Sequence, residues 1–382
     1  MDLNKEHFFD VAIIGAGTMG MAAGAFLAQQ QVKTLLIDAF EPPHSHGSHH
    51  GDTRMIRHAY GEGRQYVTLA KRAQQLWEEL QKQTGYKIFE KTGVLGLGPK
   101  DSVFLQETIA AANKFELPLE VLSGKEVKQK WPGFSVPDNF IGCYETESGL
   151  LYSENAIQAY KELAIKNGVQ LVTNTPVQQI DMHDKECVKI ITENKVFHAK
   201  KVIVTAGAWA AKLLPTINLP IQPTRKVVGW FETPEELYDA GNFPSYYVED
   251  GGNMFYGFPN IDGKGLKIGR SDGGQEIDPD QLKQNFGHYE TDEADLRFFL
   301  QTYLPKANGA LNQGKTCLYT ISSDNHFIID FHPEHEHILI ACGFSGHGFK
   351  FGSVVGEVLS QLALEGKSNF DLSLFSLKRF GL

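Results

Sequence analysis

Residues 15–20 read Gly-Ala-Gly-Thr-Met-Gly, a glycine spacing that lets a backbone approach phosphate oxygens closely. Gly15 permits a tight turn, Gly17 leaves room for a pyrophosphate, and Gly20 lets a helix pack against a strand. A helix that begins in this motif would also present free N–H groups and a partial positive charge to the phosphates. The motif therefore predicts a site for a dinucleotide.

The flanking residues supply the elements that this site needs. An apolar run at 9–14 predicts a strand, residues 18–29 predict a small-residue helix, and 33–37 predict a second, parallel strand. Asp38 ends that strand, where its carboxylate can accept from ribose hydroxyls and would repel the 2′-phosphate of NADP. This pattern alone leaves NAD and FAD open. The residues predicted to bind the dinucleotide are Gly15, Ala16, Gly17, Thr18, Met19, Gly20 and Asp38.

Composition and charge exclude several classes of protein. The chain has 382 residues, enough for two domains, and a net charge of -10, which argues against nucleic acid as a partner. Its four cysteines form no CxxC pair, which argues against a zinc site or a disulfide framework. The opening MDLNKEHFFD lacks the pattern of a signal peptide, and no run of apolar residues is long enough to span a membrane. A soluble, cytoplasmic protein is expected.

The remaining elements fall into two groups. Helices are predicted at 66–83, 101–114, from 153 onward and at 351–364, and strands at 170–173, 188–192, 201–205 and 337–341. Residues 39–61, with two prolines, three glycines and five histidines, predict a long functional loop. Residues 220–318 alternate in polarity and are rich in aromatic side chains, which predicts a mostly antiparallel sheet.

We therefore predict an α/β and α+β protein with two domains. A Rossmann-like dinucleotide domain of the glutathione-reductase-like class would be assembled from residues 1–85, 150–219 and 323–382. A substrate domain on a mixed, largely antiparallel sheet would comprise residues 86–149 and 220–322. The strand and small-residue turn at 201–207, KVIVTAG, is typical of flavoproteins and favours FAD.

Several separated motifs resemble the monomeric sarcosine oxidase family and its relatives, such as the N-methyltryptophan oxidases. They are GSHHGDTR at 47–54, CLYT at 317–320, GFSGHGFK at 343–350 and GEVLSQLAL at 356–364. With the glycine motif, the resemblance runs from end to end. It implies FAD contacts at Gly47, Ser48, Arg54, Val177, Ala206, Phe344, Gly346, His347, Gly348 and Lys350.

The resemblance implies a covalent bond between Cys317 and the flavin. Thioether formation requires a thiolate, which nearby cations favour. By residue type alone, a lone cysteine in an apolar strand is more often core packing. Cys342 matches no functional position and is expected to be buried.

Substrate binding is implied at Arg57, Lys350 and Tyr256. Two cations that converge on one carboxylate give charge-assisted hydrogen bonds and orient the reacting C–H bond. By type alone, Arg57 could be a solvated loop charge and Lys350 a lysine at a helix start.

Three further residues, together with Tyr256, are implied to act in catalysis. Arg54 and His50 match positions beside the flavin ring, where positive charge stabilises the reduced, anionic flavin. Lys267 matches a lysine that promotes electron transfer to O2, although by spacing alone it could be an exposed residue on a strand. The histidines at 44, 46, 49 and 50 could be read as a metal site, but no metal is predicted because no carboxylate or cysteine pattern accompanies them.

The implied activity is oxidation of a small secondary amine, foremost N-methylglycine, by an FAD enzyme that reduces O2 to hydrogen peroxide, and a monomer is expected. Ser271 stands where sarcosine oxidases of the family usually carry a histidine. A larger N-substituted amino acid therefore remains an alternative substrate. An FAD dehydrogenase that uses an electron carrier, and a non-enzymatic nucleotide-binding protein, are further alternatives.

Overall fold

A computed structural model describes residues 7–184 and 187–382 of the chain. The opening residues 1–6, on which the expectation of no signal peptide partly rests, lie outside the described residues. The helices are α1 Thr18–Gln29, α2 Tyr66–Thr84, α3 Val103–Lys114, α4 Gly124–Lys130, α5 Ser153–Lys166, α6 Ala210–Leu213, α7 Glu235–Tyr238, α8 Thr291–Tyr303 and α9 Gly352–Glu365. Within the described residues no helix is both long and apolar enough to cross a membrane.

The strands alternate with these helices in the first part of the chain and dominate the middle. They are β1 Phe8–Ile14, β2 Thr34–Ile37, β3 Thr53–Ile56, β4 Phe89–Glu90, β5 Val94–Pro99, β6 Glu120–Ser123, β7 Phe140–Glu145, β8 Gly149–Tyr152, β9 Gln170–Val172, β10 Val177–Asp181, β11 Val188–Thr192, β12 Val196–Val204, β13 Ile221–Phe231, β14 Ser245–Asp250, β15 Asn253–Phe258, β16 Leu266–Arg270, β17 Gln275–Glu276, β18 Leu311–Ser322, β19 Ile328–Phe331 and β20 Ile338–Cys342.

The first sheet contains the dinucleotide elements. Its strands run in the order β10-β11-β12-β1-β2-β9, and β20 pairs with β12 and with β19. β1, β2, β9, β12 and β20 are mutually parallel, so their carboxyl ends meet at one edge. Apolar clusters cover both faces, with α1, α2, α5 and α9 on one of them, which explains why β1 and β2 are almost wholly apolar.

The second sheet has nine strands and is mixed. Only the β5–β14 pairing is parallel, and the long strands β13 and β18 pair antiparallel over most of their length. The strands of the first sheet come from residues 8–37, 170–204 and 328–342, and those of the second from 94–145 and 221–322. The predicted fold class is confirmed, whereas the exact domain boundaries stay a prediction.

The prediction that residues 39–61 are loop throughout is wrong at its end. Residues 53–56 form β3, which pairs antiparallel with β8 in a small three-stranded sheet. The pairing is non-local and β3 is only four residues long, so local periodicity gave no signal. β3 holds the end of residues 47–54, and the carbonyls of Gly51 and Thr53 accept from Lys267 on β16 of the second sheet.

Candidate active site

A cavity of about 690 Å³ opens at the carboxyl ends of the parallel strands. This edge is where open α/β sheets bind their ligands. The predicted FAD residues that line the cavity are Gly15, Gly17, Thr18, Met19, Asp38, Gly47, Ser48, Arg54, Val177, Ala206, Phe344, Gly346 and Gly348. Residues far apart in the sequence are therefore brought to one surface.

The other predicted FAD residues are not among the residues that line this cavity. They are Ala16, Gly20, Cys317, His347 and Lys350. A Cβ on Gly20 would stand 1.9 Å from Gly15 O, so this glycine serves the packing of α1 on the turn. Cys317 immediately precedes Leu318, which does line the cavity. Direct contacts of these residues with FAD stay a prediction.

Asp38 ties the glycine turn to the end of β2. Its Oδ2 accepts from the Ala16 N–H at 2.6 Å and its Oδ1 accepts from the Phe40 N–H at 2.9 Å. His44 Nε2 lies 3.3 Å from Oδ1. The carboxylate thus holds the turn in place and also lines the cavity where a ribose is expected.

Two features of the wall fit the predicted cofactor. A Cβ on Gly17 would meet only His49 Nδ1, at 3.9 Å, so protein packing does not require a glycine there. The lack of a side chain at Gly17 instead keeps the cavity open at the start of α1. Thr320 Oγ1 is buried, and within the described part of the chain it has no hydrogen-bond partner. A buried orphan hydroxyl in a cavity wall indicates a polar ligand. These residues fit FAD.

Residues 47–54, here called the cation loop, surround two cations with backbone carbonyls: the half-buried Arg54 and the buried Lys267. Arg54 Nη1 donates to Thr53 O at 2.7 Å, and Nη2 donates to Ser48 O and His50 O at 2.8 and 2.6 Å. From β16, Lys267 Nζ donates to Gly51 O at 2.5 Å and Thr53 O at 2.8 Å. Thr53 O accepts from both cations, so the positions of the two are linked.

Lys267 is only 2% exposed, and burial lowers its pKa well below the ordinary range, with Arg54 acting in the same direction. Its Nζ also donates to Thr53 Oγ1, at 3.2 Å, which makes three acceptors in all. An ammonium has three N–H donors, whereas a neutral amine has two. The surrounding oxygens therefore favour the charged form that burial opposes.

A second cavity, of about 610 Å³, lies on the other side of the cation loop. Lys267, Asp52 and His50 line it, whereas Arg54 lines the first cavity. His50 Nδ1 is 3.7 Å from Glu154 Oε1. The structure thus places His50 in the second cavity, and its predicted proximity to the flavin ring stays a prediction.

The other histidines of this region pack with one another and with an aromatic ring. His46 stacks on Phe40 with ring centroids 3.7 Å apart, and His49 Nε2 accepts from the His44 N–H. Burial lowers the pKa of His49 to about 3, so this ring is neutral near pH 7.

Arg57 is buried in an ion pair that the sequence did not predict. Its Nη2 lies 2.6 Å from both carboxylate oxygens of Glu62, and its guanidinium stands over the rings of Tyr60 and Tyr247 at 4.3 and 5.0 Å. Burial disfavours charge on both partners. Glu62 raises the pKa of Arg57 and Arg57 lowers the pKa of Glu62, so each favours the ionised form of the other. Arg57 is therefore a charged group that already holds one carboxylate.

Lys350 contacts Tyr60, the residue whose ring lies under the Arg57 guanidinium. Lys350 Nζ donates to Tyr60 OH at 3.1 Å, and Tyr60 OH lies 2.8 Å from His347 Nδ1. His347 Nε2 lies 3.0 Å from Asn325 O, which can only accept, so Nε2 carries the proton and Tyr60 donates to Nδ1. Burial, followed by the charge of Arg57, lowers the pKa of Lys350 to about 7.

Cys317 lies on β18 directly across from Lys226 on β13. Burial raises the pKa of the thiol, while Arg54, Lys267 and Lys226 act in the opposite direction. Lys226 Nζ donates to the carbonyls of Ser271, Asp272 and Gly273 at 2.7, 2.8 and 2.5 Å. The predicted attachment point is thus surrounded by cations.

The aromatic wall near Cys317 contains Tyr256. Tyr319 OH, from the first cavity, donates to Tyr256 OH at 3.2 Å, and burial raises the pKa of Tyr256 to about 12. Ser271 follows β16, and its N–H donates to Met254 O. Arg270 forms ion pairs with Asp272 and Asp295 at 2.6 and 3.1 Å.

Sequence reasoning missed two residues of this region, Tyr60 and Glu62. Tyr60 lies beside both residues predicted to bind the substrate carboxylate, Arg57 and Lys350. Glu62 forms an ion pair with the first of these. The only local signal for Glu62 is its position between Gly61 and Gly63, of which Gly63 has a φ of 145°. Contacts of this kind depend on the fold and not on local spacing.

Known proteins agree with this architecture. The model of the family described as FAD dependent oxidoreductase matches residues 10–362. Among solved structures, an L-proline dehydrogenase from P. horikoshii has a TM-score of 0.85 at 21% identity, covering 98% of both chains. A glycine oxidase from Geobacillus kaustophilus has a TM-score of 0.82 at 20% identity, covering 98% of this chain and 99% of the other. At these identities the likeness shows the fold.

Sequence relatives are more specific. A monomeric sarcosine oxidase of Bacillus sp. is 55% identical, covering 97% of this chain and 96% of that protein. One from Arthrobacter sp. is 52% identical over 99% and 98% of the two chains. An N-methyl-L-tryptophan oxidase of Yersinia pestis is 42% identical over 97% and 99%. The chain therefore belongs to the monomeric sarcosine oxidase family of FAD-dependent oxidoreductases.

Proposed function

We propose that this enzyme oxidises N-methylglycine with O2 and water to glycine, formaldehyde and hydrogen peroxide. The observation that carries the proposal is the convergence of Arg57 and Lys350 on Tyr60. Gly348 and Phe349, which directly precede Lys350, line the cavity that fits FAD. Two neighbouring cations can bind a substrate carboxylate through charge-assisted hydrogen bonds. The names of the relatives with 52–55% identity support this substrate.

FAD, when bound, takes the electron pair and hydrogen of the substrate C–H bond and later returns electrons to O2. The residues that would hold it are those of the first cavity, with Cys317 as the attachment point. Arg54 would place positive charge beside the ring system, and Lys267 would do so from the side of the second cavity. Hydrolysis of the resulting substrate imine gives the two organic products.

Substrate binding on this proposal is an exchange of carboxylates. Glu62 accepts from Arg57 in the structure, and a substrate carboxylate would take over this hydrogen bonding together with Lys350. The Glu62 side chain is 26% exposed, so hydration of the freed carboxylate would partly offset the loss of its ion pair with Arg57. The aromatic rings of Tyr60 and Tyr247 keep the guanidinium in place during the exchange.

The second candidate is oxidation of a larger N-substituted amino acid. Ser271 is a short side chain at a position where the family usually has histidine, and the 42% identical relative is named for N-methyl-L-tryptophan. Lys226 anchors the carbonyls of residues 271–273, so this corner has a defined shape. We favour the smaller substrate because Arg57, Lys350 and Tyr256 are all present.

Oxygen consumption tests the proposal. In air, N-methylglycine should give one hydrogen peroxide per O2 consumed, with kcat/KM above that for N-methyltryptophan, proline and fructosyl amino acids. An efficiency tenfold higher for a bulky N-substituted amino acid, about 1.4 kcal/mol in transition-state binding, would favour the second candidate. Substrate oxidation without peroxide, coupled only to an added electron carrier, would instead show a dehydrogenase.

Covalent attachment predicts that FAD stays with the acid-precipitated protein. Cys317→Ser should release free FAD into the supernatant, because an alkoxide does not form readily where a thiolate does. Cys342→Ser is the matched control, since Cys342 is another buried, unpaired cysteine, and its flavin should stay in the pellet. Yellow colour in the supernatant of the unmodified protein contradicts the attachment.

Lys267 is predicted to serve the reaction with O2. Lys267→Met removes the charge but keeps much of the volume, and reoxidation in air should slow about a hundredfold, or about 2.7 kcal/mol. Anaerobic reduction by substrate, followed by stopped-flow absorbance, should change far less. Lys128→Met, at an exposed ion pair, is the control. Equal slowing of both half-reactions would assign Lys267 to structure or to substrate binding.

Lys350 predicts a pH dependence of substrate binding. Its pKa is lowered to about 7, so the ammonium is present below this pH and is lost above it. The dissociation constant for N-methylglycine should therefore rise with pH above 7, toward tenfold per unit. Lys350→Met should bind weakly at every pH and lack this dependence, as measured by flavin absorbance in anaerobic titrations. An unchanged pH profile in the variant would show that another group titrates.

A further inference from the structure

Asp52 lies in the wall of the second cavity, between two lysines of the second sheet region. Lys315 Nζ is 2.6 Å from its Oδ1, and Lys264 Nζ is 3.0 Å from its Oδ2. Burial acts against its charge, but these two hydrogen-bonded lysines bring the pKa of Asp52 to about 2. The carboxylate is therefore ionised throughout the range in which the enzyme can be assayed.

The backbone of Asp52 determines where the neighbouring carbonyls point. Its φ is 67° and that of Gly51 is 110°, which is left-handed backbone that few residues adopt. The N–H groups of both residues donate to Glu154 Oε1 at 3.1 and 3.2 Å, and Asp52 O accepts from the Ser153 N–H at 2.9 Å. In this conformation Gly51 O and Thr53 O, on either side of Asp52, both accept from Lys267.

We propose that Asp52 is a positioning residue for the reaction with O2: clamped by Lys264 and Lys315, it aims the carbonyls of residues 51 and 53 at Lys267 and supplies the negative charge that keeps Lys267 protonated. The inference rests on the role proposed for Lys267. O2 takes two electrons from the reduced cofactor and two protons from it and the solvent, and leaves as hydrogen peroxide. Lys267 contributes charge and is unchanged, and Asp52 touches neither O2 nor the electrons.

The charges that face Lys267 come from several elements. Arg54 disfavours its ammonium form, whereas Asp52, Glu154 and an ionised Cys317 favour it. Lys264, Lys315 and His50 line the same cavity as Lys267, where positive charge on them would act in the same direction as Arg54. Lys87 and Asp262 line the same cavity. Removal of the Asp52 charge leaves Lys264 and Lys315 without this partner, so the local balance shifts further against the ammonium.

Asp52→Asn tests the proposal with little risk to folding, because asparagine adopts left-handed backbone as readily as aspartate. Holoenzyme is reduced with dithionite, mixed with buffered O2 and followed by flavin absorbance at pH values from acidic to alkaline. The pH at which reoxidation slows should fall by roughly one unit, the low end for loss of a nearby opposite charge. At pH values above the apparent pKa of reoxidation in both enzymes, the variant should be reoxidised about tenfold more slowly than the unmodified enzyme.

Lys315→Met separates charge from clamping. It keeps the Asp52 carboxylate and removes a competing cation, so its pH profile should stay in place or move to higher pH. Asp138→Asn, at an ion pair whose carboxylate side chain is 90% exposed, should behave as the unmodified enzyme. An unshifted profile for Asp52→Asn overturns the proposal, and so does an equal, pH-independent loss in Asp52→Asn and Lys315→Met, which would mark a purely structural clamp.

Because dithionite replaces the substrate, this experiment does not depend on which amine the enzyme oxidises. Failure of N-methylglycine to reduce the flavin would contradict the proposed function and leave the Asp52 measurement valid. A normal substrate reaction with no pH shift in Asp52→Asn would contradict only the inference.

Discussion

The site depends on the cost of burying positive charge. Lys267 is buried and Arg54 is half-buried in the wall of the first cavity, and an unpaired cation removed from water is strongly disfavoured. The cation loop meets this cost with backbone carbonyls, of which Thr53 O serves both side chains. Carbonyl dipoles stabilise a cation without adding a net negative charge, so the positive charge of both residues still acts on their surroundings.

This arrangement explains why the site lies between the two large sheets. Arg54 belongs to β3 and Lys267 to β16, and Thr53 O of β3 accepts from both side chains. The direction of the cation-loop carbonyls depends on the left-handed backbone at Gly51 and Asp52. Glu154 on α5 accepts from the N–H groups of both residues, and two lysines pair with the Asp52 carboxylate. Three parts of the chain must therefore be assembled before the cations are in place.

Sequence reasoning succeeded where a property is local. The glycine turn, α1 and the strand before Asp38 follow from spacing and periodicity, and α1 has the predicted bounds 18–29. The resemblance assigned candidate roles to Arg57 and Lys350, and the structure brings both to Tyr60. Local patterns could not show β3, the partner of Arg57, or the use of carbonyls as ligands, because each depends on contacts between residues far apart in the chain or on backbone direction.

A crystal structure of the FAD-loaded protein would show where the two cations lie once the cofactor is present. We expect the isoalloxazine beside Arg54, with Lys267 Nζ still within hydrogen-bond distance of the carbonyls of Gly51 and Thr53. A flavin bound away from the cation loop would contradict this expectation. So would a Lys267 side chain that has left these carbonyls and turned toward solvent in the second cavity.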